Sequence, residues 1–257
     1  GELDMAAFDQ LLTDKVKFVS LVHISNTLGT INPVKNVIDK AHALGIPVML
    51  DGAQAAPHHA IDVQALDVDF YAFSGHKVCG PTGIGIFYGK EELLNKMDPY
   101  MGGGEMIASV SFEKTTYNKL PYKFEAGTPN IAGGIALGAA LQYVMDIGID
   151  AIAAYEQQLL NYGVAQLSQI EGMRFIGTAQ EKASVISFLV GEHHPYDVGV
   201  LLDKQGIAIR TGHHCTEPLM NHFGIPGTCR ASFAFYNTTE EIDRLKAGLD
   251  KAVMMLG

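Results

Sequence analysis

The stretch Arg210–Leu219, "RTGHHCTEPL", sets two histidines directly before Cys215, with a Thr-Gly pair ahead of them and a proline behind. Those residue types admit three kinds of chemistry: a metal clamp, a structural cysteine with bystander histidines, or an activated thiol on a mobile loop. A second reactive group lies in "SGHKVCGPTGIG" (74–85), where Ser74, His76 and Lys77 precede a glycine-rich turn. A third is "LDGAQ" (50–54), which sets Asp51 and Gln54 at the end of an apolar run. A lysine among small and apolar neighbours that is partly desolvated becomes a nucleophile toward carbonyls. Its natural use is a Schiff base with pyridoxal phosphate (PLP), whose ring nitrogen needs a carboxylate partner. Asp51 is a candidate for that partner, and Ser74 with His76 for the phosphate. The competing reading of Lys77 is an ordinary solvated loop lysine, and spacing alone leaves the two level.

Zinc is disfavoured for "HHC". Adjacent histidines in extended chain diverge, and the histidine pairs at 58–59 and 193–194 lack the CxxC or HxxxH spacing that would complete a tetrahedral site. No metal is therefore expected. Cys79 and Cys229 read as small buried hydrophobes, although Cys79 lies two residues from Lys77. "GIGIFYG" is a weak echo of a dinucleotide fingerprint without the strand-turn-helix context, and "MGGGEM" (101–106) reads as a backbone bend near the site.

The elements that must carry these groups alternate in the first half of the chain. Residues 16–24, 46–51, 68–74 and 83–89 read as strands. Between the first two, residues 32–45 carry proline at the start, apolar positions at 34, 37, 38, 41 and 44, and a terminal glycine, so a helix is predicted. This is the pattern of parallel strands covered by helices, in which ligands bind beyond the carboxyl ends of the strands. After a helical region at 131–171, strands are predicted at 183–190, 207–212 and 229–237, with helices at 196–206 and 238–256. The expected architecture is α/β, with a mostly parallel sheet in a large domain (1–144) and a smaller α+β C-terminal domain (145–257).

Composition narrows the function classes. With 18 basic against 28 acidic residues the net charge is −10, which argues against a nucleic-acid partner. The cysteine count of 3 forms no even disulfide framework, so a reducing cytoplasm is expected. No signal peptide opens the chain. The apolar stretch 131–155 is broken by Gln142, Asp146 and Asp150 and reads as a buried helix, not a membrane span. The chain opens without methionine on an amphipathic pattern (Leu3, Met5, Phe8, Leu11, Leu12), which reads as a start inside a larger protein.

"LDGAQ", "SGHKVCGPTGIGIFYGK", "GGGEMI", "FEAGTPN" and "RTGHHC" occur in the order seen in cysteine desulfurases. The whole chain resembles that group of class V aminotransferases, and the Arg-x-Gly-x-His-Cys form resembles its group II (Suf-type) branch. The resemblance implies the PLP-dependent transferase fold type I (aspartate aminotransferase-like). It implies Lys77 as the cofactor-binding lysine that also shuttles the substrate α-proton, Asp51 on the pyridinium nitrogen and Gln54 on the phenolic oxygen. Ser74 and His76 would hold the phosphate, and Thr128 would reach the cofactor of a partner subunit in a homodimer. Asn26 and Arg230 would hold the substrate carboxylate, and Arg210 would sit beside the thiol chemistry. Cys215 would accept sulfur from L-cysteine as a persulfide and pass it to an acceptor protein of the SufE or SufU kind, feeding iron–sulfur cluster assembly. Selenocysteine lyase activity, another PLP reaction such as transamination, and a non-enzymatic dimerising fragment are the alternatives. Thr216 departs from the alanine common after the cysteine, and Cys79 from a position often aromatic. The family's chain starts well before Gly1, and its earlier part supplies a ring-stacking histidine and a phosphate loop.

Overall fold

The computed structural model describes residues 1–257. In chain order the first half comprises α1 (Met5–Leu11), β1 (Val19–Val22), α2 (Val34–His42), β2 (Val48–Asp51), α3 (Val63–Leu66), β3 (Phe70–Ser74), β4 (Gly85–Gly89), α4 (Glu91–Lys96), β5 (Ile107–Val110) and β6 (Thr115–Tyr117). The second half comprises α5 (Ile131–Ile147), α6 (Ile149–Leu167), β7 (Met173–Ile176), β8 (Val185–Val190), α7 (Pro195–Asp203), β9 (Arg210–Gly212), α8 (Glu217–Phe223), β10 (Thr228–Ser232) and α9 (Thr239–Leu256).

The first sheet has the order β1-β2-β3-β4. β1 and β2 run parallel, as do β2 and β3, while β4 returns antiparallel to β3. Parallel pairing sets the carboxyl ends of β2 and β3 side by side, with Asp51 opposite Ala72. That is how two segments more than twenty residues apart come to open onto one face. The helix predicted from its apolar stripe forms as α2, and Val34, Val37, Ile38 and Ala41 are buried. They close a core with Val48, Leu50 and Tyr71.

The second sheet is antiparallel throughout, in the order β7-β8-β10-β9. β8 is central, and Phe188 on it is fully buried against α6, α7 and α9 with Leu159, Leu202 and Leu249. Each such side chain contributes about 1.5–3 kcal/mol by leaving water. α9 begins on a capping box in which Thr238 and Glu241 bond each other's backbone amides. The two sheets are stitched by the turn after β1: Ala183 donates its amide to the Gly29 carbonyl, and Thr30 pairs with Lys182.

Several expectations change. The strand expected at 207–212 starts only at Arg210, and the one at 229–237 stops at Ser232, giving way to a turn over Phe233–Asn237. The helical region breaks into α5 and α6 at Gly148, with a 71° bend. α5 is not a buried helix: Ile131, Ile135 and Met145 are 60%, 73% and 69% exposed. No single helix is long and apolar enough to cross a membrane. α1 forms as its pattern predicts, yet none of its residues is buried.

Candidate functional site

A cavity of about 330 Å³ opens where the carboxyl ends of the first sheet face the second. Asn26, Gln54, His76, Lys77 and Arg230 line it, so five of the sequence-chosen residues converge from four segments. Asn26 comes from the turn after β1 and Gln54 from the turn after β2. His76 and Lys77 follow β3 directly, in a single 3₁₀ turn, and Arg230 comes from the middle of β10.

The turn carrying Gln54 is held by sterics. Gly52 packs so tightly on Tyr71 that a Cβ there would lie 2.1 Å from its ring. Asp51 accepts the Ala53 amide at 2.8 Å and is exposed. Beneath it Tyr71 shares its hydroxyl with His23 Nδ1 at 3.1 Å. Burial, with His59 nearby, lowers His23 to about 4, and burial, with Asp51 nearby, pushes the Tyr71 phenol up. Both groups are therefore neutral near pH 7.

Arg230 is half-buried, and its Nη1 donates to the Asn26 carbonyl at 2.7 Å. Its Nε is buried with no hydrogen-bond partner, a guanidinium donor left for a ligand at the cavity wall. Burial, and Arg210 nearby, hold its pKa below the usual guanidinium range.

Cys215 stands apart from the cavity lining, exposed, on the loop between β9 and α8. Arg210 Nη2 approaches its sulfur at 3.6 Å and is the cation placed to face a negatively charged sulfur. His214, next to Cys215 in sequence, does not share that role. His214 is buried at 2% exposure, with Nε2 2.8 Å from Thr228 Oγ1. Burial, with Arg230 nearby, lowers it to about 4, so it is neutral at physiological pH. That buried bond also removes His214 from any metal clamp. The loop is tied to the cavity by Asn26, whose Nδ2 donates to the His214 carbonyl at 2.7 Å.

Other sequence-chosen residues are less gathered. Ser74 ends β3 half-buried, and Asp51 ends the neighbouring strand, but neither lines the cavity. Thr128 is exposed on the loop before α5, also outside it. Lys77 is exposed at the cavity, so of the two readings that spacing left level, the solvated one describes its surroundings in this chain. Cys79 lines the cavity and is exposed, which corrects its reading as a buried hydrophobe. Cys229 is buried as expected, its thiol pushed up to about 12 by desolvation.

The sequence reading missed His58 and Glu156. His58 Nδ1 lies 2.8 Å from Glu156 Oε2, and the Phe235 amide donates to Oε1 at 3.0 Å. Glu156 on α6 is 3% exposed, so this pair joins the Gln54 turn to the second sheet at the cavity floor. The pair His58–His59 was visible, but its carboxylate partner lies 98 positions away, beyond any local spacing rule.

A mixed, largely parallel sheet, an antiparallel second sheet and a cavity between them lined by both a lysine and an arginine define an α/β scaffold with a ligand site between its two sheets. The chain belongs to the class V aminotransferases, whose family model matches residues 1–245. It is similar to a cysteine desulfurase of Dickeya dadantii, with 53% identity over all of this chain and 62% of that protein. The chain thus spans about 62% of the length of that curated relative. Among solved structures it is similar to the cysteine desulfurase CsdA from Escherichia coli, with 42% identity and a TM-score of 0.94 over 98% of this chain and 63% of that one. It is also similar to a C-DES variant with glycine covalently linked to its PLP cofactor, with 25% identity and a TM-score of 0.84 over 97% of this chain and 64% of that one.

Proposed function

We propose that this chain is the part of a PLP-dependent cysteine desulfurase that carries the lysine and the sulfur-accepting cysteine, converting L-cysteine to L-alanine. One observation carries the reading. The Asn26 turn bonds both the Arg230 guanidinium and the loop bearing Cys215, so a carboxylate-binding fork and a thiol share one support beside Lys77.

The donor set fits the cofactor. An amine (Lys77), an amide (Gln54), an imidazole (His76) and a half-satisfied guanidinium (Arg230) line one cavity. Asp51 and Ser74 end the adjacent parallel strands. Lys77 would attach the cofactor, Asp51 would face its ring nitrogen, Gln54 its phenolic oxygen, and Ser74 with His76 its phosphate. Bound pyridoxal phosphate supplies the electron sink for negative charge at the substrate Cα.

The remaining work belongs to the chain's own residues. Arg230 and Asn26 bind the substrate carboxylate, Arg230 as a planar fork. Lys77 Nζ takes the Cα proton and returns it. The Cys215 thiolate, faced by Arg210, attacks the substrate sulfur. An S–S bond forms as the Cβ–S bond breaks, and the electron pair left on carbon takes up a proton to give alanine. Cys215 retains a persulfide, and its exposure supports hand-over to an acceptor protein of the SufE or SufU kind, for iron–sulfur cluster assembly. Selenocysteine would serve the same groups, since only the leaving atom differs.

We assign residues 1–144 to the large domain and 145–257 to the small one, a division supported by the separate sheets and by the bend between α5 and α6. A homodimer is supported by Thr128, exposed and outside its own chain's cavity. Three free thiols support a reducing cytoplasm. The test is incubation of the PLP-loaded protein with L-cysteine and dithiothreitol, the thiol reductant that reduces the Cys215 persulfide and frees its outer sulfur as sulfide. Alanine and sulfide should appear, and both Lys77→Ala and Cys215→Ala should abolish sulfide release. Turnover intact in Cys215→Ala but lost in Lys77→Ala would instead indicate a transaminase-type reaction.

A further inference from the structure

The Cys215 loop is backbone-strained. His214 and Cys215 have φ of 55° and 63°, two successive non-glycine residues in the left-handed region, where a Cβ is disfavoured. Such a conformation persists only when its surroundings hold it. Part of the hold is the Asn26 bond to the His214 carbonyl. The His214 ring on Thr228 and the Thr216 amide on the His213 carbonyl add to it, and a further part runs through the Thr216 hydroxyl.

Thr216 is the N-cap residue of α8, where a threonine hydroxyl ordinarily accepts an amide from the first turn. Here it makes no capping bond. The hydroxyl instead turns back, with Oγ1 2.8 Å from the His213 carbonyl and 2.9 Å from Thr27 Oγ1. A hydroxyl has one proton to give. The His213 carbonyl can only accept, so Thr216 donates to it and Thr27 donates to Thr216. Thr27 is fully buried, and its only other acceptor is Asn26 Oδ1, at a longer 3.4 Å.

We propose that Thr27 and Thr216 form a directed hydroxyl relay that positions the Cys215 loop over the substrate-binding turn. The relay spans the cysteine on both sides, from residue 216 back to residue 213. It is rooted at residue 27, next to the Asn26 that would hold the substrate carboxylate. It therefore fixes the thiol relative to the carboxylate, the separation that decides whether sulfur lies within reach. Without the Thr216 hydroxyl, Thr27 is left with Asn26 Oδ1 alone and the strained loop loses its one side-chain link to Thr27, while the Asn26, Thr228 and Thr216 amide bonds remain. Thr216 is a positioning residue in this scheme, and only the kinetic arm of its test rests on the desulfurase reading.

The experiment compares Thr216→Val, which keeps the shape and removes the hydroxyl, with Thr216→Ser, which keeps the hydroxyl, both in the PLP-loaded protein. Three quantities are read: amide exchange of residues 213–217, iodoacetamide alkylation of Cys215 followed by peptide mass spectrometry, and kcat and KM for L-cysteine. In Thr216→Val, exchange and alkylation should each rise about fivefold, the factor one ordinary hydrogen bond supports. kcat should fall with KM little changed, and Thr216→Ser should return all three to wild type. Thr27→Val should repeat the exchange and alkylation changes from the buried end. A valine variant indistinguishable from wild type, or a serine variant that behaves like valine, overturns the relay. Should the wild type release no alanine, the desulfurase reading fails, while exchange and alkylation still decide the relay.

Discussion

Arg230 carries two duties at the residue scale, and they can be separated by experiment. Its Nη1 is committed to the Asn26 carbonyl, while its buried Nε has no protein partner. Arg230→Lys keeps the charge and can keep one bond, but loses the planar fork. The expected outcome is a rise in KM for L-cysteine of roughly 10- to 100-fold, the range for hydrogen bonds to a charged group, with little change in melting temperature. Steady-state kinetics beside a thermal melt checks it, and an unchanged KM would remove Arg230 from substrate binding. This residue was legible in the sequence only through the resemblance. Nothing local in "CRASF" says that the arginine turns toward a turn 204 positions earlier.

At the scale of elements, the site depends on strand ends being held at the correct height, and Gly52 is where that is most exacting. Its missing Cβ leaves room for the Tyr71 ring, letting the Gln54 turn fold down onto β3. Gly52→Ala forces the ring or the turn to move, and overpacking of this kind costs about 1–3 kcal/mol. The expected result is a lower urea midpoint together with weaker PLP binding by titration. A loss of stability with unchanged PLP affinity would separate the turn from the cofactor site. The strands and α2 were legible because apolar runs and a helical stripe are local signals. The placement of Asp51 at the end of β2, and of Lys77 in the turn that follows β3, was legible for the same reason. What escaped was set by tertiary context. α5 is apolar enough to read as buried, yet this chain provides little to cover it. Lys77 has small and apolar sequence neighbours, yet it and Cys79 are both exposed at the cavity. The Glu156–His58 pair and the Thr27–Thr216 relay join segments that no periodicity connects.

Over the whole molecule, the histidines couple the site to stability through pH. His23 and His214 are lowered to about 4, each chiefly by burial, and His59 is lowered by burial and by His58 beside it. A folded-state pKa below the unfolded value of 6.5 means that the unfolded chain binds protons the folded chain refuses. Stability is therefore complete above about pH 6.5 and is lost as pH falls from there toward 4, by about 1.4 kcal/mol per pH unit for each proton taken up. Carboxylates act in a lower window. Burial alone would raise Asp69, but its bonds to His42, the Val48 amide and Lys90 outweigh that and hold it below 3.8, so its contribution persists until the pH drops past that value. The two histidines lie at opposite ends of the site, one under the Asp51 turn and one inside the Cys215 loop. Urea unfolding between pH 4.5 and 7.5 should show the acid-side loss in wild type. His23→Gln and His214→Gln should each reduce the slope by up to one proton, and the double variant by up to two. An unchanged slope in the double variant would show that both rings accept protons freely in the fold, and that the space under the Asp51 turn and the cysteine loop are open to water.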